Sequence, residues 1–450
     1  MNPHIFRQYD VRGLVDEDLT DEVVTNLGRA YGTYLQHSGL KSVVVGRDVR
    51  LSSPRLRDAL VKGILATGCD VTDVGVVPTP VLYFSIVHLK KDGGVMITGS
   101  HNPTEYNGFK LCKGVMSIYG EEIQKLRKIA ERGEYATGEG QPDTYETLPG
   151  YIQQIESKIK IGRPIKIVID AGNGTAGEGA PRIFEDLGCR VVKLYCEPDG
   201  RFPHHLPDPT IPEYMEDLIF RVRQEGADVG IGYDGDADRL GAVDEQGAIV
   251  WGDKLLALYA REILAREKGA KIIFDVKCSQ GLVEDIEAHG GVPVMWKTGH
   301  SLLKAKMREE DAPVAGEMSG HMFFADNYGY DDAIYASARL VQILSKGTRP
   351  LSTMVAEVPG YYSTPEIRAE CTEEEKFKIV EEVKAYFKGK YETIDIDGVR
   401  VLFGDGWGLV RASNTQPILV LRCEARTEAR LKEIERIITN KLKEYPSVKL

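Results

Sequence analysis

Ile165-Lys166-Ile167-Val168-Ile169-Asp170 reads as a short buried strand, and what surrounds it decides the fold. It leads through a polar loop into an amphipathic helical pattern that ends near Gly188, and a second β-like run follows at 190–194. The same cadence occurs twice more. Lys41-Ser42-Val43-Val44-Val45-Gly46-Arg47 leads to a helix ending near Gly68 and a run at 70–74. Lys271-Ile272-Ile273-Phe274-Asp275-Val276 leads to Gly290 and a run at 292–296. A strand–helix–strand unit implies parallel pairing, because parallel neighbours need a crossover connection. Three copies predict three similar α/β domains with mixed, largely parallel sheets.

Punctuation suggests the boundaries. Residues 131–148, rich in Gly, Pro, Thr and Glu, read as a linker, giving a first domain at 1–147 and a second at 148–250. The helical pattern 253–268 opens a third at 251–364, closed by 356–364 with Pro359-Gly360. Residues 365–450 have another order: a helix at 373–388, β-like runs at 391–396, 398–403, 408–412 and 418–425, and a helix at 428–444. That order predicts a smaller α+β domain with a mainly antiparallel sheet.

Composition narrows the class. Of 450 residues, 42% are hydrophobic and 28% charged, which suits a globular protein with ample core. No run approaches the roughly 18 unbroken apolar residues of a membrane span, and the N-terminus lacks a secretory signal's apolar stretch. Seven scattered cysteines form no C-x-x-C pair, as expected of reduced thiols in a cytoplasm. A net charge of −11 argues against nucleic acid or an anionic membrane as partner, so any bound anion must meet a local basic cluster.

The chemistry concentrates in loops. Asp234-Gly235-Asp236-Ala237-Asp238-Arg239 follows the strand-like Val229-Gly230-Ile231-Gly232-Tyr233 and offers three carboxylates at alternate positions. Hard oxygen ligands at that density suit Mg²⁺ or Ca²⁺. An EF-hand loop is the nearest decoy, with Glu245 at its twelfth place. Arg239, however, stands where that loop needs Gly, and the upstream run is a strand. Thr98-Gly99-Ser100-His101-Asn102-Pro103, followed by Asn107-Gly108-Phe109-Lys110, predicts a tight turn with an exposed Ser100 hydroxyl. His101 beside it offers a nitrogen that titrates near neutral pH. The two loops pair a hydroxyl able to carry a phosphoryl group with a metal to hold its oxygens. Arg411-Ala412-Ser413-Asn414-Thr415-Gln416-Pro417 holds donors for a phosphate and no carboxylate. Gly316-Glu317-Met318-Ser319-Gly320-His321 mixes donors and acceptors as sugar hydroxyls require. Each of these loops alone also fits an unreactive polar turn. Tyr9 and Arg12 in the opening turn, and Lys277 and His300 just beyond strands of the third repeat, are further cleft candidates.

These motifs, with Tyr9-Asp10-Val11-Arg12-Gly13 ahead of them, occur in the order found in the α-D-phosphohexomutases. The chain resembles that family and, within it, the phosphomannomutase/phosphoglucomutase group. The resemblance implies three similar α/β domains and a smaller C-terminal domain around a central cleft. It also implies reversible interconversion of hexose 1-phosphate and hexose 6-phosphate, on mannose and glucose phosphates, through a phosphoserine and a hexose 1,6-bisphosphate. Ser100 would be the phosphoserine, and Asp234, Asp236 and Asp238 would hold Mg²⁺ with one of its oxygens. Arg239 would assist there. Glu317, Ser319 and His321 would contact the sugar, and Arg411, Ser413, Asn414 and Thr415 would grip the other phosphate. Tyr9, Arg12, His101, Lys110, Lys277 and His300 match positions lining the cleft. The general base stays open between Lys110 and the histidines, and the C-terminal domain is expected to move to enclose the intermediate. Gly99 stands where Ala is frequent; both are small. A phosphoglucosamine mutase is the near alternative, although its phosphate loop usually reads Ser-Gly-Thr. A non-catalytic phosphosugar sensor and a metal-dependent phosphatase are the more distant ones. A monomer and a homo-oligomer fit equally.

Overall fold

The computed structural model describes residues 2–414 and 416–450. The chain forms two compact units: one runs to Tyr259 and includes Ser319–Val355, and the other comprises Ala260–Met318 and Ala356–Leu450.

All three repeats form as their patterns require. Strands Ser42–Arg47, Lys166–Asp170 and Lys271–Asp275 lead to helices Ser53–Leu65, Ala176–Asp186 and Gln280–Ala288. Strands Asp70–Val76, Arg190–Leu194 and Val292–Trp296 follow, each parallel to the first strand of its own repeat. Gly68, Gly188 and Gly290, just past those helices, have φ of +87°, +87° and +80°, where a side chain would be strained. A third strand then returns on the other side of the first: Gly93–Ile97, Val229–Tyr233 and Val314–Gly316, again parallel. The serine, metal and sugar loops leave the carboxyl ends of these three strands. They are the same loop of the repeat, used three ways.

In the first unit the chain turns back after two of these loops. Tyr106–Lys113 runs antiparallel to Gly93–Ile97, and Leu240–Asp244 runs antiparallel to Val229–Tyr233. Val11–Leu14 closes the edge of the first sheet against Tyr106–Lys113. The stretch read as a linker contains an edge strand, Pro142–Thr144, parallel to Asp70–Val76. Pro is tolerated there because it begins an edge strand and owes no ladder donor.

The C-terminal sheet is antiparallel, as expected: Glu392–Ile394, Val399–Leu402, Gly406–Ala412 and Ile418–Ala425 pair in order. Tyr362–Ser363, read as the close of the third domain, and Ile367–Glu370 both pair with Ile418–Ala425 instead. Helices Lys376–Lys388 and Glu428–Leu442 cover one face, burying Val383, Phe387, Ile434 and Ile438 against Val401, Val410 and Leu421. Strand alternation sends Trp407, Leu409 and Arg411 to the other face, where Trp407 and Leu409 pack on Val276 of the third repeat. That period of two aims Arg411 toward the loops of the third repeat. Among the described residues no helix is long and apolar enough to cross a membrane, and all seven cysteines are free thiols.

Candidate active site

The serine loop and the metal loop meet inside the first unit. Ser100 Oγ donates to Asp234 Oδ2 at 2.8 Å and lies 2.9 Å from His101 Nδ1. The hydroxyl is not exposed as its turn predicts, since Ser100 is 3% accessible. A tight turn does project the side chain, but the second repeat's loop closes over it: a Cβ built on Gly235 would lie 2.5 Å from the Ser100 carbonyl oxygen. Ser100 itself has φ of +50°, left-handed backbone that a non-glycine residue holds only under constraint.

Asp234, Asp236 and Asp238 are fully buried, and one oxygen from each lies within 4.8 Å of the others. Asp234 Oδ1 accepts from the backbone N–H groups of Asp238 and Arg239, which closes the loop on itself. Asp236 Oδ2 accepts from Thr79 Oγ1 at 2.6 Å and from Lys110 Nζ at 2.6 Å. Lys110 Nζ also donates to Asp238 Oδ2. Asp236 Oδ1 is buried and accepts no hydrogen bond. Burial, and then Asp236 and Asp238, push the Asp234 carboxyl well above its usual range. Two like charges about 4 Å apart repel by roughly 4 kcal/mol at an effective dielectric near 20, so the cluster needs cations. Lys110 offsets one of the three negative charges. A divalent ion would offset the other two, and a buried carboxylate oxygen without a donor fits such an ion. The residues present therefore suit Mg²⁺.

Two sequence readings shift here. Burial, with Arg239 and Arg12 nearby, pushes the His101 imidazole well below its ordinary value, so it stays neutral at pH 7 where the sequence predicts titration. Burial alone would lower the Lys110 ammonium, but Asp236 and Asp238 outweigh it and raise its pKa, which makes Lys110 a fixed cation. Arg239 Nε points at His321 Nε2 at 3.4 Å, and His321 Nε2 lies 3.2 Å from Asp238 Oδ1. Leu240 N–H donates to the Gly320 carbonyl, and Ser319 Oγ lies 3.3 Å from His321 Nδ1. Ser319 and His321 thus join the metal loop. Arg12 sits on the edge strand with its guanidinium 2.5 Å from Asp10, and Tyr9 lies in the bend before that strand. Glu245, the EF-hand decoy, instead accepts the Ser352 N–H from helix Leu351–Ala356.

The second unit gathers the other candidates. Arg411 Nε donates to Asp397 Oδ2 at 2.9 Å, and the same oxygen accepts the Thr298 N–H at 3.1 Å. Thr298 Oγ1 donates to Asp275 Oδ2, while Asp275 Oδ1 accepts from the Met318 N–H. Glu317 Oε1 accepts the Gly299 N–H at 2.6 Å, next to His300, the first residue of helix His300–Glu309. Lys277 Nζ pairs with Glu366 Oε2 at 3.2 Å, which holds Glu366 down at about 2. Ser413 Oγ accepts the Gln416 N–H, Asn414 is a half-buried bend residue, and Thr415 lies outside the described residues. Arg411, Glu317 and the His300 turn are thereby linked through Asp397, Thr298 and Asp275, and Lys277 lies in the electrostatic reach of Asp275 and Arg411.

Sequence reasoning missed Arg50, Asp48, Thr79, Asp275 and Asp397. None sits in a dense motif; they come from neighbouring strands and turns and act through another side chain or the backbone. The strand-end position of Asp48 and Asp275 is the one signal that could have flagged them.

Comparison with known proteins agrees over the full length. Sequence models of the phosphoglucomutase/phosphomannomutase α/β/α domains I, II and III and C-terminal domain match residues 3–137, 149–247, 251–362 and 366–441. A phosphomannomutase/phosphoglucomutase of Pseudomonas aeruginosa is 48% identical over 445 residues, covering 98% of this chain and 96% of that one. A phosphoglucomutase of Neisseria gonorrhoeae is 45% identical over 96% of this chain and 95% of its own. The crystal structure of a phosphoglucomutase/phosphomannomutase family protein from Burkholderia thailandensis superposes with a TM-score of 0.93 at 44% identity, covering 98% and 97% of the two chains. The chain belongs to the phosphoglucomutase/phosphomannomutase family of α-D-phosphohexomutases.

Proposed function

We propose that the chain interconverts hexose 1-phosphates and hexose 6-phosphates of mannose and glucose, with Ser100 carrying the phosphoryl group between the two ends of the sugar. One observation supports this above the rest: a buried serine hydroxyl bonded to a cluster of three carboxylates that is charge-balanced for a divalent ion.

Asp234, Asp236 and Asp238 would hold Mg²⁺ together with an oxygen of the phosphorylated Ser100. The ion would neutralise charge on the phosphoryl oxygens. The chain's own residues do the rest. In the forward half-reaction the bond from phosphorus to Ser100 Oγ breaks as a bond forms to the sugar's free hydroxyl oxygen. That hydroxyl's proton leaves to a base. Lys110, paired with two carboxylates of the cluster, and His101, beside Ser100 Oγ, are the candidates for that base. Arg239 adds positive charge at the rim. The product of this half-reaction is a 1,6-bisphosphate, and its other phosphate returns to Ser100 after the sugar reverses.

Arg411, Ser413, Asn414 and Thr415, with Lys277, grip the phosphate that is not reacting. Glu317, Ser319 and His321 read the sugar hydroxyls. The Ser-Asn-Thr phosphate loop favours neutral hexoses over glucosamine phosphate. Reduced thiols suit a cytoplasmic enzyme, and the four domains would follow boundaries at 147 and 250, with the third closing ahead of the Tyr362–Ser363 strand.

Turnover of mannose, glucose and glucosamine 1-phosphates in one coupled assay tests the assignment. Preference for the two neutral sugars is expected, and a strong preference for the amino sugar contradicts it. Arg411→Ala should raise KM at least about tenfold in both directions, because the same grip serves either end. An effect in one direction only would remove the shared-grip reading.

A further inference from the structure

Arg50 belongs to none of the motifs above, yet its guanidinium lies within the serine loop. It is 1% exposed. Nη1 donates to the carbonyls of Pro103 at 2.7 Å and Tyr106 at 3.0 Å, and Nη2 donates to those of Ser100 at 3.0 Å and Asn102. Asp48 backs it, with Oδ2 3.2 Å from Arg50 Nε and accepting the Gly99 N–H at 3.1 Å. Asp48 Oδ1 is fixed in turn by Ser53 Oγ at 2.6 Å and the Arg50 N–H at 3.0 Å. The Phe202 ring, from the second repeat, covers the guanidinium at 5.3 Å.

Burying a guanidinium is costly unless its donors are met, and here one planar fork meets four backbone carbonyls in a segment of seven residues. Those carbonyls flank the peptide in which Ser100 holds its left-handed φ of +50°. Such a conformation is strained in a non-glycine residue and persists only where its surroundings over-determine it. Hydrogen bonds from a charged donor are stronger than neutral ones, and four of them can outweigh that strain.

We propose that Arg50, backed by Asp48, is the positioning residue of the phosphoryl carrier: it holds the Ser100 peptide in the one conformation that aims Oγ at Asp234. The inference rests on the reading of Ser100 as that carrier. It also explains Gly99. A Cβ there would lie 2.5 Å from Arg50 Cζ and Nε and 2.9 Å from the Tyr106 carbonyl. The guanidinium is tied at four points and cannot yield cheaply. In this chain Ala at position 99 is therefore not the equivalent of Gly, as size alone suggests; it would press on the clamp.

The test compares the parent with Arg50→Lys, which keeps the charge but loses the fork, and Gly99→Ala, which displaces the fork but keeps every donor. Each is assayed well below its melting temperature, with its fold checked by circular dichroism. Phosphorylation of Ser100 by glucose 1,6-bisphosphate is followed by mass in a single turnover, beside steady-state kcat and KM. The positioning role predicts that both variants lose about 100-fold in single-turnover rate and in kcat, with KM held within about threefold. A residue needed only for folding would lower the melting temperature and leave the per-molecule rate alone. A parent-like rate in either folded variant overturns the proposal. If Arg50→Lys does not fold, Gly99→Ala decides. If the parent itself takes no phosphate on Ser100, the carrier reading fails instead, so the two failures are distinct.

Discussion

Asp236 divides its two carboxylate oxygens between different tasks. Oδ2 is saturated by Thr79 Oγ1 and Lys110, while Oδ1 is buried without a donor, and the Thr79 N–H also fixes the Asp236 carbonyl at 2.8 Å. Such outer partners orient metal ligands, and losing one typically costs about 10–100-fold in affinity. Thr79→Val should therefore raise the Mn²⁺ dissociation constant by at least about tenfold in calorimetry, with Thr79→Ser near the parent. Equal affinities in the two variants would show that Thr79 does not orient the ligand. Lys110→Met makes the opposite kind of change. It leaves the buried carboxylates without their internal cation, so the metal-free protein should lose about 3 kcal/mol or more of stability. Saturating Mg²⁺ should recover much of that loss in thermal melts, because the ion then supplies the missing charge. No metal-dependent recovery would mean that the carboxylates are not the ion's ligands. The first-rank groups here were legible in the sequence, because Ser100 and the three aspartates sit at fixed spacing in dense loops. Thr79, Asp48 and Arg50 were not, since each acts on a residue far along the chain and carries no local pattern. His101 and Lys110 were found as residues, but the direction in which their surroundings push each pKa was not legible, because burial and neighbouring charge are properties of the fold.

At the level of strands and loops, the third strand of each repeat delivers its loop to the same end of its sheet. Hydrophobic periodicity and the glycines at 68, 188 and 290 made the strand–helix–strand part of each repeat readable, while the shared third strand emerged only in the fold. The edge strand Pro142–Thr144 and the pairing of Tyr362–Ser363 with Ile418–Ala425 were not readable. Short edge strands are defined by a partner's exposed ladder and carry almost no period of their own. The ion pair between Lys277, after a strand of the third repeat, and Glu366, at the start of the C-terminal sheet, joins two elements within one unit. Lys277 depresses the Glu366 carboxyl to about 2, against about 4.3 in an unfolded chain. A carboxyl depressed in the folded state contributes stability that is fully present above the unfolded value and is lost as pH falls through the folded one. The melting-temperature gap between the parent and Glu366→Gln should therefore be widest above about pH 5 and close between about pH 4 and pH 2. A gap that does not change over that range contradicts the pairing.

For the whole molecule, on the proposed reading one fold unit used three times would supply a phosphoryl carrier, a cation cage and a sugar-reading turn, and a different sheet the phosphate grip. A shared fold fixes none of these roles; the roles follow from what each loop carries. The five in-order motifs are not needed for the central claim, which concerns a single atom. Ser100 Oγ, bonded to the Asp234 carboxylate, is held to accept and return a phosphoryl group. The direct measurement is peptide mass mapping of the purified chain after brief incubation with Mg²⁺ and glucose 1,6-bisphosphate, then after a chase with unlabelled hexose 1-phosphate. The account predicts one phosphoryl group on the peptide containing Ser100, lost to the sugar in the chase and absent altogether from Ser100→Ala. Turnover of hexose phosphates with no phosphate ever on Ser100, or with undiminished activity in Ser100→Ala, would contradict it.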